Sequence, residues 1–152
     1  MTYRTLLGAL AGAVLLGTFA ANANAAEFMV VDDTIPASLT GKAGDPAAGK
    51  KTAINKKKGN CLACHVMPIP EEQFHGNIGP NLGEVGNTMS AAEMRIRLAD
   101  PKLINPGTIM PAFLKPGTTR VLKKFEGKAI LTPQEVEDVI AYLLTLKGDL
   151  PQ

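Results

Sequence analysis

Cys61-Leu62-Ala63-Cys64-His65 is the one segment of the chain whose residue types and spacing carry a specific chemistry. C-x-x-C-H is the attachment spacing of a c-type haem. Two thiols one helical turn apart can each add to one vinyl group on the same haem edge. The adjoining His65 then lies under the ring and offers an imidazole nitrogen to the iron. Other uses of these residues fit less well. A thioredoxin-like C-x-x-C wants a βαβ surround, and no such pattern is visible. A zinc site built from Cys61, Cys64, His65 and His75 would require adjacent residues to ligate one ion, which is poor geometry. With only two cysteines in the chain, a four-thiolate cluster and a disulfide scaffold are both excluded.

A haem iron held by His65 has a sixth position to fill. Met67 is two residues beyond His65 and cannot comfortably cross to the opposite face of the ring. Met94 falls inside an amphipathic helix, where core packing is the simpler role. Met89 precedes that helix and stays open. Met110 ranks first, because Pro106-Gly107 and Pro111 bracket it with rigid backbone that could hold a thioether toward metal. His75 would give a bis-histidine centre, and an open site is the remaining alternative.

The elements that must position these groups read as helices joined by long loops. Asp45-Pro46 is a cap followed by a first-turn proline, and the helix it opens is expected to run to Lys58 and stop at Gly59. Gly49 inside it costs about 1 kcal/mol against alanine, which suggests a close crossing by a second helix. Ser90 with Glu93 forms a capping box for another helix, which Pro101 ends. Thr132-Pro133-Gln134-Glu135 starts a third, with Val136, Val139, Ile140, Leu143 and Leu144 on one face, Lys147 at its negative end and Gly148 as the stop. Between them lie Gly- and Pro-rich stretches at 68–87 and 100–131. A loop as long as the second is uncommon in a compact domain unless it is functional, and a bound cofactor would supply the surface it packs on. No internal repeat is present.

Composition agrees with a cofactor-centred core. The 152 residues include no Trp, two Tyr and five Phe, so flat apolar volume is scarce. Arg4, the uncharged run to Ala21 and Ala23-Asn24-Ala25 resemble a cleavable signal peptide over 1–25, leaving Ala26 as the mature N-terminus; a retained anchor is the alternative. Export would place the protein in the periplasm, with no membrane segment after cleavage. Removing Arg4 leaves 15 basic and 14 acidic residues, a net charge of +1, which argues against a nucleic-acid partner. Lys50, Lys51, Lys56, Lys57 and Lys58 form a cluster, read as a solvated face rather than a docking patch. The expected organisation is an arm over 26–44, a haem domain over 45–148 and a tail over 149–152.

The motif, Gly79-Pro80-Asn81-Leu82, Met110-Pro111 and a final helix bearing Tyr142 together resemble a small monohaem cytochrome c of class I. That resemblance implies a mainly α fold, with three or more helices and long loops wrapped around one covalent haem c. It also implies that the Pro80 carbonyl accepts the second ring N–H of His65. The family has an aromatic four residues after the glycine of its first helix, whereas this chain has Ala53, so the crossing of the terminal helices must be built differently. More narrowly, GNCLACH (59–65), HGNIGPNLGEVGN (75–87) and NPGTIMPAF (105–113) are similar to the SoxX family, small cytochrome subunits of SoxAX complexes in thiosulfate oxidation. The resemblance implies His65 and Met110 as iron ligands and a SoxA partner carrying the sulfur-conjugating cysteine. It further implies electrons arriving from conjugation of thiosulfate to a SoxYZ carrier, and a downstream electron acceptor. The chain alone would then be an electron carrier, and an enzyme only as part of a thiosulfotransferase complex. A free class I cytochrome serving a terminal oxidase is the alternative, followed by an open-site catalytic or gas-binding haem protein.

Overall fold

A computed structural model describes residues 27–116 and 123–148. The expected signal segment 1–25, the tail 149–152 and positions 117–122 of the second long loop lie outside the described residues. Among the described residues four α-helices form: α1 Pro46–Ile54, α2 Val85–Thr88, α3 Ala91–Ala99 and α4 Pro133–Leu143, with single 3-10 turns at Cys61–Ala63, Pro101–Leu103 and Lys123–Phe125. The described residues contain no sheet, and Val31 and Thr34 form an isolated bridge.

The starts of α1, α3 and α4 follow the side chains that cap them. Asp45 Oδ1 accepts the N–H groups of Ala47 and Ala48 at 2.8 and 3.3 Å. Ser90 and Thr132 each close a full capping box, with Glu93 and Glu135 reaching back to the cap N–H at 2.7 and 2.9 Å. Two helix ends differ from the sequence expectation. α1 stops at Ile54 rather than Lys58, because Asn55 turns the chain. Its Oδ1 accepts Lys57 N–H at 2.9 Å, and its carbonyl accepts those of Lys58 and Asn60. Asn60, at φ +49°, supplies the left-handed residue expected of Gly59. α4 stops at Leu143 rather than near Lys147. There the chain turns to meet the α2 segment, which the sequence reading did not anticipate: Gly86 N–H donates to the Leu146 carbonyl at 2.9 Å and Gly148 N–H to that of Gly83 at 3.0 Å.

α1 and α4 cross at close range. A Cβ at Gly49 would overlap the Asp138 carbonyl, and one at Gly44 would overlap that of Glu137. Ala53 is fully buried, so small residues and near-touching backbones make this crossing. The core is largely aliphatic, with Ile35, Met67, Ile69, Met94, Ile96 and Ile140 among its fully buried side chains.

The described part of the expected arm, 27–44, is tied to the helices at several points. Asp32 and Asp33 both have positive φ in a two-residue turn between Val31 and Thr34. Buried Ile35 donates its N–H to the Ala92 carbonyl at 3.1 Å. Arg95 on α3 pairs with Glu137 on α4, Nε to Oε1 at 2.8 Å and Nη2 to Oε2 at 3.2 Å, and its Nη1 reaches the Ile35 carbonyl at 2.9 Å. Glu137 Oε1 also accepts Leu39 N–H at 2.8 Å, and Asp138 accepts Asp45 N–H at 2.9 Å.

Candidate haem site

The motif sits on the 3-10 turn that follows α1. His65 N–H donates to the Cys61 carbonyl at 3.0 Å and Cys64 N–H to the same oxygen at 3.1 Å, so both cysteines and the histidine share one turn. Cys61 and Cys64 are half-buried, unbridged thiols. Burial pushes the Cys61 thiol up to about 11, which keeps it neutral and uncharged within the fold.

His65 is oriented by the segment that returns beneath it. Its Nδ1 lies 2.7 Å from the Pro80 carbonyl oxygen. A carbonyl can only accept, so Nδ1 carries the proton and Nε2 keeps a free lone pair, the form a metal-binding imidazole needs. Gly79 lies against the ring so closely that a Cβ there would overlap it. Gly76 packs likewise on the Ala63 carbonyl. The sequence reading quoted Gly79 with Pro80 in the segment that meets His65, but it gave neither glycine the role of making room for the site.

Met110 is held by a loop anchored at both ends. Its N–H donates to Thr108 Oγ1 at 3.2 Å, while Lys102 Nζ reaches the Thr108 carbonyl at 2.7 Å. Beyond Pro111, Phe113 N–H returns to the Leu98 carbonyl of α3 at 2.9 Å, and the Phe113 carbonyl accepts Ile130 and Leu131 at 2.9 and 3.0 Å. Lys115 Nζ closes on buried Asp100 at 2.9 Å. Met110 itself is half-buried against the core edge, as is Met89, whereas Met94 and Met67 are fully buried. His75 lies on the loop shared with His65, and its Nδ1 accepts Met67 N–H at 3.3 Å. Tyr142 of α4 is buried, and burial with the nearby Glu71 carboxylate pushes its phenol up to about 12.

Two thiols, an imidazole with a defined tautomer and a glycine-lined return segment form a donor set that fits a covalent haem. The cytochrome c family model matches residues 46–147. The chain belongs to the cytochrome c family. In the crystal structure of SoxXA from P. pantotrophus, one chain is 39% identical to this cytochrome at a TM-score of 0.72, over 80% of this chain and 95% of that one. An uncharacterized lipoprotein of Aquifex aeolicus is 37% identical over 95 residues, 62% of this chain; the match spans only 39% of that lipoprotein's length. The cytochrome is of the SoxX type, has the class I fold and carries one covalently attached haem c. Its lysine cluster is in part internally neutralised, Lys50 pairing with Glu71 and Lys58 with Glu135.

Proposed function

We propose that this cytochrome is the electron-transfer subunit of a SoxAX-type complex, exported to the periplasm and acting in thiosulfate oxidation. The observation that carries this reading is the 39% identity with a chain of SoxXA over 80% of this chain. In the proposed site, Cys61 and Cys64 form the thioethers, and His65 and Met110 ligate the iron. The donor geometry supports it: the Pro80 carbonyl leaves His65 Nε2 free, and Met110 hangs on a loop separate from that of His65. His75 is less suited to the sixth position, since its loop packs on the same turn as His65 and its Nδ1 is already engaged.

When bound, the haem supplies a one-electron couple between ferrous and ferric iron. The protein's part is to keep that couple simple. Pro80 fixes the His65 tautomer, Gly79 sets the ring's position, and the doubly anchored Met110 loop would offer a sulfur to the iron's sixth position. A filled coordination sphere suits outer-sphere transfer. By this reading a SoxA-type partner holds the thiol chemistry, and electrons released as thiosulfate is joined to a SoxYZ carrier pass through this chain to an acceptor.

The test is expression with export and haem maturation, followed by intact mass and co-purification with a SoxA-type cytochrome. One haem retained after acid denaturation is expected, lost when Cys61 and Cys64 are both replaced by Ala, together with a stable heterodimer. A well-folded double variant without haem, or no association with SoxA, contradicts the proposal.

A further inference from the structure

The segment from His65 to Leu82 leaves the motif, turns, and comes back against it. Three backbone bonds hold the return: Gly76 N–H to the Leu62 carbonyl at 2.7 Å, Gly79 N–H to that of Cys64 at 2.8 Å, and Leu82 N–H to that of Val66 at 2.9 Å. The outer part of the loop, 67–75, is closed by a side chain. His75 swings across it and accepts the backbone N–H of Met67, 3.3 Å from Nδ1. Met67 and Ile69 are fully buried, so the Met67 N–H has little access to water, and a buried donor without an acceptor is costly.

The tautomer that follows is informative. Because Nδ1 accepts, the ring hydrogen sits on Nε2, and this Nε2 is buried with no hydrogen-bond partner. The fold thus leaves one donor unsatisfied at the position that provides Met67 with its acceptor. One residue later, Gly76 makes the first bond of the return, and three residues after that Gly79 meets the His65 ring. His75 therefore stands at the hinge between the closed outer loop and the stretch that bears on His65.

We propose that His75 is a positioning residue for His65: by holding Met67 through Nδ1 it fixes the loop that brings the Pro80 carbonyl to His65 Nδ1. This rests on the reading of His65 as iron ligand. A hydrogen bond accepted from Nδ1–H makes Nε2 the more electron-rich donor, which favours ferric iron and lowers the reduction potential. Loosening the loop lengthens that bond and raises the potential.

Two holoprotein variants separate this role from a purely structural one. His75→Leu fills the space without an acceptor, while His75→Asn offers Oδ1 close to where Nδ1 stood. The readouts are the reduction potential and the proton shift of His65 Nδ1–H in the ferrous protein, with the thermal midpoint alongside. For His75→Leu a raised potential and an upfield-moved proton are expected, and His75→Asn should bring both back toward wild type. A His75→Leu protein that is only less stable, with potential and proton unchanged, overturns the proposal; so does a His75→Asn protein that restores neither. Should His75→Leu fail to mature, 15N-histidine spectra of the wild type decide. The Nε2–H tautomer with a slowly exchanging Met67 amide supports the role, and the Nδ1–H tautomer refutes it. Failure of the ligand reading looks different: the wild-type spectrum itself would then lack histidine ligation at His65.

Discussion

A thioether ligand stabilises ferrous iron, so Met110→Ala is expected to remove the far-red sulfur-to-iron band of the oxidised protein and lower its potential. Absorption spectra and a potentiometric titration check both, with Met89→Ala as the control that keeps the band. Tyr142 offers a pH experiment, since it is the only tyrosine after residue 25. Its phenol ionises at about 12 in the fold, against about 10 in the unfolded chain. The folded state therefore keeps a proton that the unfolded state loses. The stability linked to this group is complete below about pH 10 and falls away between about 10 and 12. 13C-tyrosine spectra should give the high midpoint, and thermal midpoints should drop across that window. The attachment residues were legible because covalent chemistry demands one spacing, and Cys61, Cys64 and His65 have it. The packing roles of Gly76 and Gly79 were not legible, because each lies on a residue more than ten positions upstream, and His75 was legible only as an alternative iron ligand, its contact being with Met67, eight positions upstream.

Elements were legible where a side chain begins them and opaque where tertiary contacts end them. The boxes at Ser90 and Thr132 are local patterns, whereas the end of α4 depends on Gly83 and Gly86, some sixty residues upstream. The arm shows the same limit. Nothing in its sequence announces that Arg95 and Glu137, on two different helices, will meet beneath it. That buried pair makes a strong element-scale test. Arg95→Met leaves Glu137 buried and uncompensated and frees the carbonyl of Ile35, so a loss of about 3–5 kcal/mol is expected. Replacing both Arg95 and Glu137 by Met should recover part of it, short of the bond that Leu39 N–H makes to Glu137. Denaturant unfolding measures both, and limited proteolysis should cut first within the arm. Gly49→Ala forces α1 and α4 apart at the Asp138 carbonyl, and an overpacking cost of about 1–3 kcal/mol is expected by the same method.

At the scale of the molecule, function turns on what the chain lacks as much as on what it holds. Conjugating thiosulfate to a protein sulfur needs a reactive thiol, and the thiolate is the nucleophilic form. This chain has two cysteines in all; in the proposed site both would become thioethers, and Met110 would fill the remaining iron position. What remains is a centre that changes charge by one and a surface on which something can dock. That surface is uneven in character. Phe74 and Ile109 are 88% and 74% exposed on the loops carrying His75 and Met110, while Lys50 and Lys58 of the lysine cluster pair with Glu71 and Glu135. Scattered exposed apolar side chains are ordinary on a monomer. The purified holoprotein, mixed with thiosulfate and a SoxYZ carrier, is expected to show no turnover and negligible reduction. Addition of a SoxA-type cytochrome should start both, at a rate that saturates once the two subunits are equimolar. Reduction followed at the haem α-band and carrier mass followed in parallel give the two readings. Rapid carrier modification without SoxA would end the division of labour argued here. A chain that ignores SoxA but is rapidly oxidised by a terminal oxidase would instead be a free shuttle, built on the same fold and the same site.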